Sequence, residues 1–263
     1  MLSAKQHQEL QELAFIGADF ELDALSGGTV NQSYCLRSVS GRYFLKLFCQ
    51  NGGDRQDRHR QFTLQQQIAG FGMAPAPLYL SAAGDFMLET WLDIQDLATS
   101  KLVMQDKLIC LAQRLAAIHA LPIQCADLPL VEDWQHYIKV GNIQTPALLD
   151  DVARASRLWQ ALPKPVFSHH DLSFAHVCLS PDAMCLDWEY AAMSTPAYDL
   201  ASSILAQGLN DAQSRVLCDE YARICALSVE LLWQDIQRML PIARLTNQLW
   251  HLAQNPVKQS PVA

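Results

Sequence analysis

Two aspartates, separated by two short apolar runs, carry the clearest chemical signal in this sequence. Asp171 ends the segment His-His-Asp at 169–171, and Asp187 follows the run Met-Cys-Leu at 184–186. Transfer of a phosphoryl group from ATP needs one carboxylate to orient the accepting hydroxyl and another to hold the magnesium that bridges the phosphates. We therefore predict Asp171 as the catalytic base and Asp187 as a metal ligand.

The chain between the two aspartates predicts a hairpin. Residues 177–179 and 184–186 are apolar, and the turn signal Ser-Pro-Asp at 180–182 separates them. A hairpin here would bring the aspartates together in space. The alternative is that each aspartate is only a turn residue, but the pair has the order of a kinase signature, His-x-Asp followed by a metal-binding aspartate.

This segment resembles the catalytic segment of the aminoglycoside phosphotransferase and choline kinase superfamily. The family pattern is H-x-D-x-x-x-x-N followed by a metal-binding aspartate, and His169, Asp171 and Asp187 match it, whereas His176 stands at the asparagine position. That asparagine helps to hold a second magnesium, so the resemblance implies His176 as a metal ligand. Because imidazole suits a hard, oxygen-preferring ion poorly, we expect weaker binding of the second metal, a preference for manganese, or lost catalysis.

The amino-terminal third has the pattern of a small sheet with a glycine loop. Gly27 and Gly28 separate two strand-like segments, and glycines let a backbone present its N–H groups to phosphate oxygens. Lys46 is the lone cation in the apolar run at 43–48, where burial is costly without an anionic partner. The resemblance implies that Lys46 contacts the phosphates of the nucleotide, ATP.

In the family, that lysine pairs with a glutamate on the next helix. The helix predicted over 57–69 has no glutamate, and Gln61 stands at the corresponding position. Gln61 can accept a hydrogen bond from Lys46, although an uncharged amide positions it less strongly than a carboxylate. Arg60-Gln61, together with Leu-Ser-Gly-Gly at 25–28, looks like the bacterial thiamine kinase branch of the superfamily.

Further residues of the carboxyl-terminal part have roles that the resemblance implies or the chemistry suggests. His169 would brace the catalytic loop, and Asp199 would hydrogen-bond its backbone. Glu189 could contact a metal or a cationic substrate, and Trp188 and Tyr190 could form an aromatic wall for a cation. Each of these residues could also be an ordinary core or surface residue, and we interpret His119 as a helix-end residue that the helix dipole favours.

The sequence predicts an α+β, bilobal, protein-kinase-like fold. Residues 1–92 would form a nucleotide-binding lobe with a small antiparallel sheet, and residues 93–263 a larger, mainly helical, catalytic and acceptor-binding lobe with the catalytic hairpin. Hydrophobic residues spaced three and four apart, with capping and turn signals, predict its helices. These helices are expected at 104–119, 146–159, 198–208, 211–226, 229–240 and 242–253.

Composition limits the class of protein. The chain of 263 residues has 50% hydrophobic residues, no run approaching a membrane span, and no secretory segment at its start, so we expect a soluble cytoplasmic protein. Its eight cysteines are scattered without a C-x-x-C pair and are interpreted as reduced. The net charge of −8, with no basic stripe, makes nucleic acid an unlikely partner and favours a small cationic substrate.

These observations predict transfer of the ATP γ-phosphoryl group to the hydroxyl of a small metabolite. Among acceptors we rank thiamine first, then choline or ethanolamine, then an aminoglycoside, and this ranking rests on the resemblance. The alternative is a catalytically degenerate nucleotide-binding homologue, because His176 and Gln61 depart from the common pattern. A protein kinase fits poorly, since the D-F-G and A-P-E motifs are absent from the sequence.

Overall fold

The computed structural model describes residues 2–25, 31–49, 57–180 and 184–255. The chain divides into two compact units. The first comprises Met1–Ile94 together with Leu179–Leu186, and the second comprises Gln95–Cys178 together with Asp187–Ala263. The predicted boundary at 92 lies close to the first division, but the sequence did not indicate that 179–186 belongs with the amino-terminal unit.

An antiparallel five-stranded sheet of order β1-β2-β3-β5-β4 forms the framework of the first unit. Its described elements are α1 (Ala4–Gln11), β1 (Phe20–Leu25), β2 (Gln32–Ser38), β3 (Gly41–Leu47), α2 (Arg58–Gly70), β4 (Pro77–Leu80) and β5 (Phe86–Thr90). Leu36, Leu45 and Leu88 from the central strands are fully buried with Leu10 of α1. Apolar side chains on alternate residues therefore give the sheet one face that packs into a core.

Helices dominate the second unit. Its described elements are β6 (Gln95–Asp96), α3 (Met104–His119), α4 (Leu130–Val140), α5 (Pro146–Ala161), β7 (Val166–Ser168), β8 (Cys178–Ser180), β9 (Ala192–Ser194), α6 (Pro196–Gln207), α7 (Asp211–Cys225) and α8 (Val229–Gln254), with a 3₁₀ turn at Phe174–His176; β8 runs from this unit into the first. Helix α3 packs on α7, and α8 packs on both α6 and α4. Strand β7 pairs antiparallel with β9 and ends directly before the loop that carries Asp171.

Two predictions about helices were wrong. A single helix, α8, continues through Pro241, where we predicted two helices separated by that proline. Proline removes one N–H and usually breaks a helix, but Leu240 and Ile242 on either side of it are buried in the core, and this packing holds the helix together. Helix α4 was not predicted from the sequence.

Backbone hydrogen bonds fix both apolar runs of the predicted catalytic hairpin. Leu97 donates its N–H to the Val177 carbonyl in the second unit, and Cys185 donates its N–H to the Met73 carbonyl in the first, each at 2.8 Å. The turn that would join the runs falls at 181–183, outside the described residues. The hairpin therefore stays a prediction.

The structure bears on two compositional expectations. All eight cysteines are free thiols. Among the described helices, none is long and apolar enough to cross a membrane.

Candidate active site

Asp171, His176 and Asp187 come together in the second unit. One ligand atom from each side chain lies within 4.8 Å of the other two. Asp171 follows β7, and His176 ends the 3₁₀ turn. The side chains of Asp171 and His176 are 42% and 23% exposed, so the group is open to solvent and to ligands. Two carboxylates and an imidazole are a donor set that can hold a divalent cation.

The ring of His176 is oriented by the loop itself. Its Nδ1 lies 2.6 Å from the carbonyl oxygen of Asp171, and a carbonyl can only accept, so Nδ1 carries a proton and donates it. The lone pair of the neutral ring is then on Nε2. Histidines that bind metals commonly donate their second ring N–H to a carbonyl in this way.

Two residues of this site have backbones in the left-handed region. His170, which directly precedes Asp171, has φ 68°, and Asp187 itself has φ 62°. Residues other than glycine rarely adopt this backbone conformation, which costs about 1–3 kcal/mol. The surrounding structure must therefore hold both backbones in place.

Asp199 provides hydrogen bonds to the Asp171 loop. It lies in the first turn of α6, and its fully buried carboxylate accepts the N–H groups of His169 at 2.9 Å and of His170 at 2.7 Å. Burial alone would raise the pKa of this carboxyl, but hydrogen bonding from His119 and the nearby imidazoles hold it well below its usual range. Asp199 is therefore ionised and acts only as an acceptor.

His119 and Tyr221 are site residues that sequence reasoning missed. His119 Nε2 lies 3.0 Å from Asp199 Oδ2, and His119 Nδ1 lies 2.6 Å from the Tyr221 hydroxyl. We had interpreted His119 as a helix-end residue, and it does stand in the last turn of α3. Its partners lie on α6 and α7, far along the chain, so no local pattern in the sequence indicated them.

His169 and Trp188 form a buried aromatic pair under the loop. The ring of His169 is fully buried, accepts the Asp171 N–H at 3.3 Å through Nδ1, and lies 4.6 Å from the Trp188 ring. Trp188 also stacks on Phe167 and is only 2% exposed. These contacts are those expected of a brace for the loop. A role of Trp188 in binding an acceptor stays a prediction.

Tyr190 lies among the carboxylates of the site. Burial first, and then the nearby Glu189, Asp171 and Asp187, raise the pKa of its phenol well above the usual value. Its carbonyl accepts the Nδ1–H of His170, whose own pKa is lowered by burial. The phenol of Tyr190 therefore keeps its proton in the neighbourhood of Asp171 and Asp187.

The predicted nucleotide-contacting residues belong to the first unit. Lys46 lies in β3 with its side chain buried, at 8% exposure for the residue. The Gln61 side-chain oxygen accepts a hydrogen bond at 2.8 Å from Arg58, whose guanidinium lies 3.9 Å from the ring centroid of Phe48. The predicted bond from Lys46 to Gln61 stays a prediction, and Gly27 and Gly28 fall outside the described residues.

Several solved structures share this fold. Plasmodium vivax ethanolamine kinase covers 89% of this chain and 76% of its own, with TM-score 0.73 and 15% identity. The match to choline kinase from Cryptosporidium parvum covers 94% of this chain and 87% of that kinase, with TM-score 0.68 and 14% identity. LicA in complex with AMP covers 97% and 93%, with TM-score 0.76 and 17% identity. At these identities the similarity establishes the fold, which is that of the small-molecule kinases, and it confirms the predicted protein-kinase-like class.

The sequence profile of the phosphotransferase enzyme family matches residues 21–229, and the chain belongs to that family. It is thus a small-molecule kinase that transfers a phosphoryl group to a hydroxyl, as predicted. No curated protein sequence matches the chain significantly. The finer resemblance to the thiamine kinase branch stays a prediction.

Proposed function

We propose that this protein transfers the γ-phosphoryl group of ATP to the hydroxyl of a small cationic metabolite. The observation that carries the proposal is the convergence of Asp171, His176 and Asp187 within 4.8 Å in a chain of this family. Asp171 orients the acceptor hydroxyl and takes its proton. Because the carboxylate is partly exposed, the hydroxyl can reach it directly.

Asp187 and His176 are the proposed metal ligands. These two donors fit a divalent ion, because the Asp187 carboxylate lies close to a ring nitrogen of His176 and the loop already orients that ring. When bound, magnesium or manganese neutralises charge on the transferring phosphate. The nitrogen donor favours manganese over magnesium, which prefers oxygen ligands.

Residues 1–92, which lie within the first unit, form the proposed nucleotide-binding lobe, and residues 93–263 form the proposed catalytic and acceptor-binding lobe. Lys46 would hold phosphate oxygens, Gly27 and Gly28 would cover them, and Gln61 would support Lys46. The position of Lys46 in β3, where the resemblance has a phosphate-contacting strand lysine, supports this role. The likeness to a LicA structure that contains AMP also supports it.

The acceptor we propose is a cation that carries a hydroxyl, with thiamine ranked before choline or ethanolamine and these before an aminoglycoside. Glu189 and Tyr190, which follow the proposed metal ligand Asp187, are the proposed acceptor contacts, because a carboxylate and an aromatic face both attract cations. The names of the ethanolamine and choline kinases of the same fold agree with this chemistry. A net charge of −8 adds a general attraction.

Mass spectrometry of phosphorylated products tests the proposal. The purified protein is incubated with ATP, with magnesium or manganese, and with pooled thiamine, choline, ethanolamine and aminoglycosides. We expect a new phosphorylated product that is lost in Asp171→Asn, with ATP binding and thermal unfolding nearly unchanged. Asp235→Asn, at a 54% exposed side chain paired with Arg238, is the matched control and should keep full turnover. Turnover that survives in Asp171→Asn would show that another group is the base.

The second candidate is a nucleotide-binding protein without turnover. It is favoured by His176 at the asparagine position and by Gln61, whose amide oxygen is already engaged by Arg58. This alternative predicts ATP binding with no product under either metal ion. The same incubation therefore distinguishes the two candidates.

A further inference from the structure

Three buried side chains form a hydrogen-bonded series that connects helix α7 to the loop that carries Asp171. Tyr221 on α7 contacts His119 on α3, and His119 contacts Asp199 on α6, at 2.6 Å and 3.0 Å. Tyr221 is 2% exposed, and the side chains of His119 and Asp199 are 3% and 0% exposed. Polar groups this deep in a core are stable only when each is hydrogen-bonded. Each member of the series must therefore donate to, or accept from, its neighbour in one consistent order.

The two outer members of this series, Asp199 and Tyr221, determine where its protons lie. Asp199 is ionised and can only accept, so its hydrogen bond with His119 requires a proton on Nε2. Burial, and then the thiol of Cys225 one turn further along α7, raise the pKa of Tyr221, which keeps its proton. The Tyr221 hydroxyl can then donate to His119 Nδ1. A neutral imidazole has one donor and one acceptor, so a donating Tyr221 selects the Nε2–H tautomer.

The opposite tautomer would weaken the support of the loop. With the proton on Nδ1, the Nε2 lone pair of His119 would face the carboxylate of Asp199. Asp199 would then lose one of three donors, while still having to hold the N–H groups of His169 and His170. His170 has a positive φ that needs this support, and it directly precedes Asp171.

We propose that Tyr221 is a positioning residue for the catalytic loop. By keeping His119 in the Nε2–H tautomer, it keeps Asp199 fully hydrogen-bonded and so holds the backbone that carries Asp171. Only the catalytic consequence rests on the proposed function, because the tautomer and the loop backbone can be measured without turnover. The competing interpretation is that Tyr221 only packs, since its ring meets that of His119 edge-on with centroids 5.5 Å apart.

Tyr221→Phe separates these interpretations, because it keeps the ring and removes the hydroxyl. Long-range ¹H–¹⁵N spectra of the histidine rings report the tautomer, with the His119 signals identified by their loss in His119→Gln. Amide hydrogen exchange reports the N–H groups of His169 and His170. We expect the Nε2–H tautomer in the wild type, and in Tyr221→Phe a shift toward Nδ1–H with exchange about three- to tenfold faster. A wild-type ring protonated on Nδ1, or unchanged tautomer and exchange in the variant, would overturn the proposal.

The matched control is Tyr79→Phe in the first unit. Tyr79 donates to Glu9 at 2.8 Å, so this variant also loses a tyrosine hydrogen bond, but one with no connection to His119. It should change neither the His119 tautomer nor the exchange of the loop amides. Equal acceleration of exchange in both variants would mean that Tyr221 acts only through general stability, which contradicts the proposal.

A double variant tests whether the effect passes through His119. In a His119→Gln background an amide N–H donates to Asp199 and has no tautomers, so Tyr221→Phe should then have no further effect. A packing role would give the same effect in both backgrounds. If Tyr221→Phe fails to fold, the comparison of His119→Gln with His119→Leu tests the proposal instead. Only the glutamine variant should keep slow amide exchange at His169 and His170. Equal exchange rates in the two variants would overturn the proposal.

Once an acceptor is known, kinetics supply a separate measurement. Tyr221→Phe should lower kcat about three- to tenfold and leave KM for ATP unchanged, because the loop and not the nucleotide is affected. Absence of turnover in the wild type would count against the proposed function and leave the tautomer measurements valid. Unchanged kcat in an active enzyme would contradict positioning of Asp171 by Tyr221.

Discussion

His176 occupies a position at which the family has an asparagine, and this difference changes the donors of the candidate metal site. An amide oxygen is a hard ligand, whereas the imidazole can offer only the Nε2 lone pair while Nδ1 donates to Asp171. Ring nitrogens suit manganese and later transition metals, and magnesium prefers oxygen. The site should therefore discriminate between these ions through one side chain.

We predict that His176→Asn raises turnover with magnesium relative to manganese. The asparagine restores an oxygen donor, and the ratio of the two rates should change by about tenfold, which corresponds to about 1.4 kcal/mol in ligand preference. Direct binding of Mn²⁺, followed by electron paramagnetic resonance, should show nitrogen coupling in the wild type and none from this position in the variant. A wild-type spectrum without nitrogen coupling would place His176 outside the metal shell.

Asp199 has a pKa depressed in the folded state, so its contribution to stability depends on pH in a defined direction. A lowered folded pKa stabilises the protein fully above the unfolded value near 4, and this stabilisation is lost as pH falls through the folded pKa. Asp199→Asn should lower the free energy of unfolding by about 3 kcal/mol at pH 7. The difference from the wild type should shrink below about pH 4.

Urea unfolding between pH 7 and pH 3 measures this difference. Asp151→Asn is the control, because Asp151 is a 54% exposed residue that pairs with Arg154 on the surface of α5. Exposed pairs contribute about 0–1 kcal/mol, so the control should differ little from the wild type at either pH. A difference for Asp199→Asn that stays constant with pH would contradict ionisation of the buried carboxylate.

Among the elements, α4 ends where backbone packing leaves no room for a side chain. Gly141 ends this helix, and a Cβ placed there would lie 3.0 Å from the carbonyl oxygen of Tyr137 and 3.2 Å from that of Leu252. Backbone oxygens cannot move aside as a flexible side chain can. The close approach of α4 to the end of α8 therefore depends on a residue without a side chain.

We predict that Gly141→Ala destabilises the protein by about 1–3 kcal/mol, as overpacking does elsewhere. Gly70→Ala is the matched control at the end of α2, where an added Cβ would meet nothing within 4 Å. There, the better helix propensity of alanine should leave stability unchanged or raise it by up to about 1 kcal/mol. Thermal or urea unfolding of both variants makes the comparison, and equal effects would refute the packing argument.

The sequence predicted elements well where the local signal was strong. The apolar run at 43–48 overlaps β3 (Gly41–Leu47), and regular spacing located α3 at 104–119 as observed. It failed at Pro241, where tertiary packing of a long helix overrides a local breaker. At the site, the motif indicated Asp171 and Asp187, but the contact between His119 and Asp199 joins distant parts of the chain, and no local pattern can encode it.

At the scale of the whole molecule, the excess of acidic over basic residues gives a net charge of −8. A cationic acceptor is then attracted before it reaches the site, and dissolved salt screens this attraction over about 8–10 Å at physiological ionic strength. We predict that kcat/KM for a cationic acceptor falls as salt rises from 20 mM to 300 mM, roughly severalfold. Initial rates with potassium chloride measure this, and a rate independent of salt would exclude long-range steering.

The first unit consists of two segments that are far apart in the sequence, and this affects when it can be completed during synthesis. This unit includes Leu179–Leu186, so its amino-terminal residues up to Ile94 leave the ribosome well before the segment that completes it. The Met73 carbonyl cannot accept its hydrogen bond until Cys185 has been synthesised. Ribosome-bound nascent chains stalled shortly after residue 94 should therefore be more sensitive to protease in their first 94 residues than chains stalled after the whole sequence has emerged. In this kinase, the segment that leads into Asp187, the proposed metal ligand, also finishes the sheet unit, so synthesis of Asp187 and completion of that unit occur together.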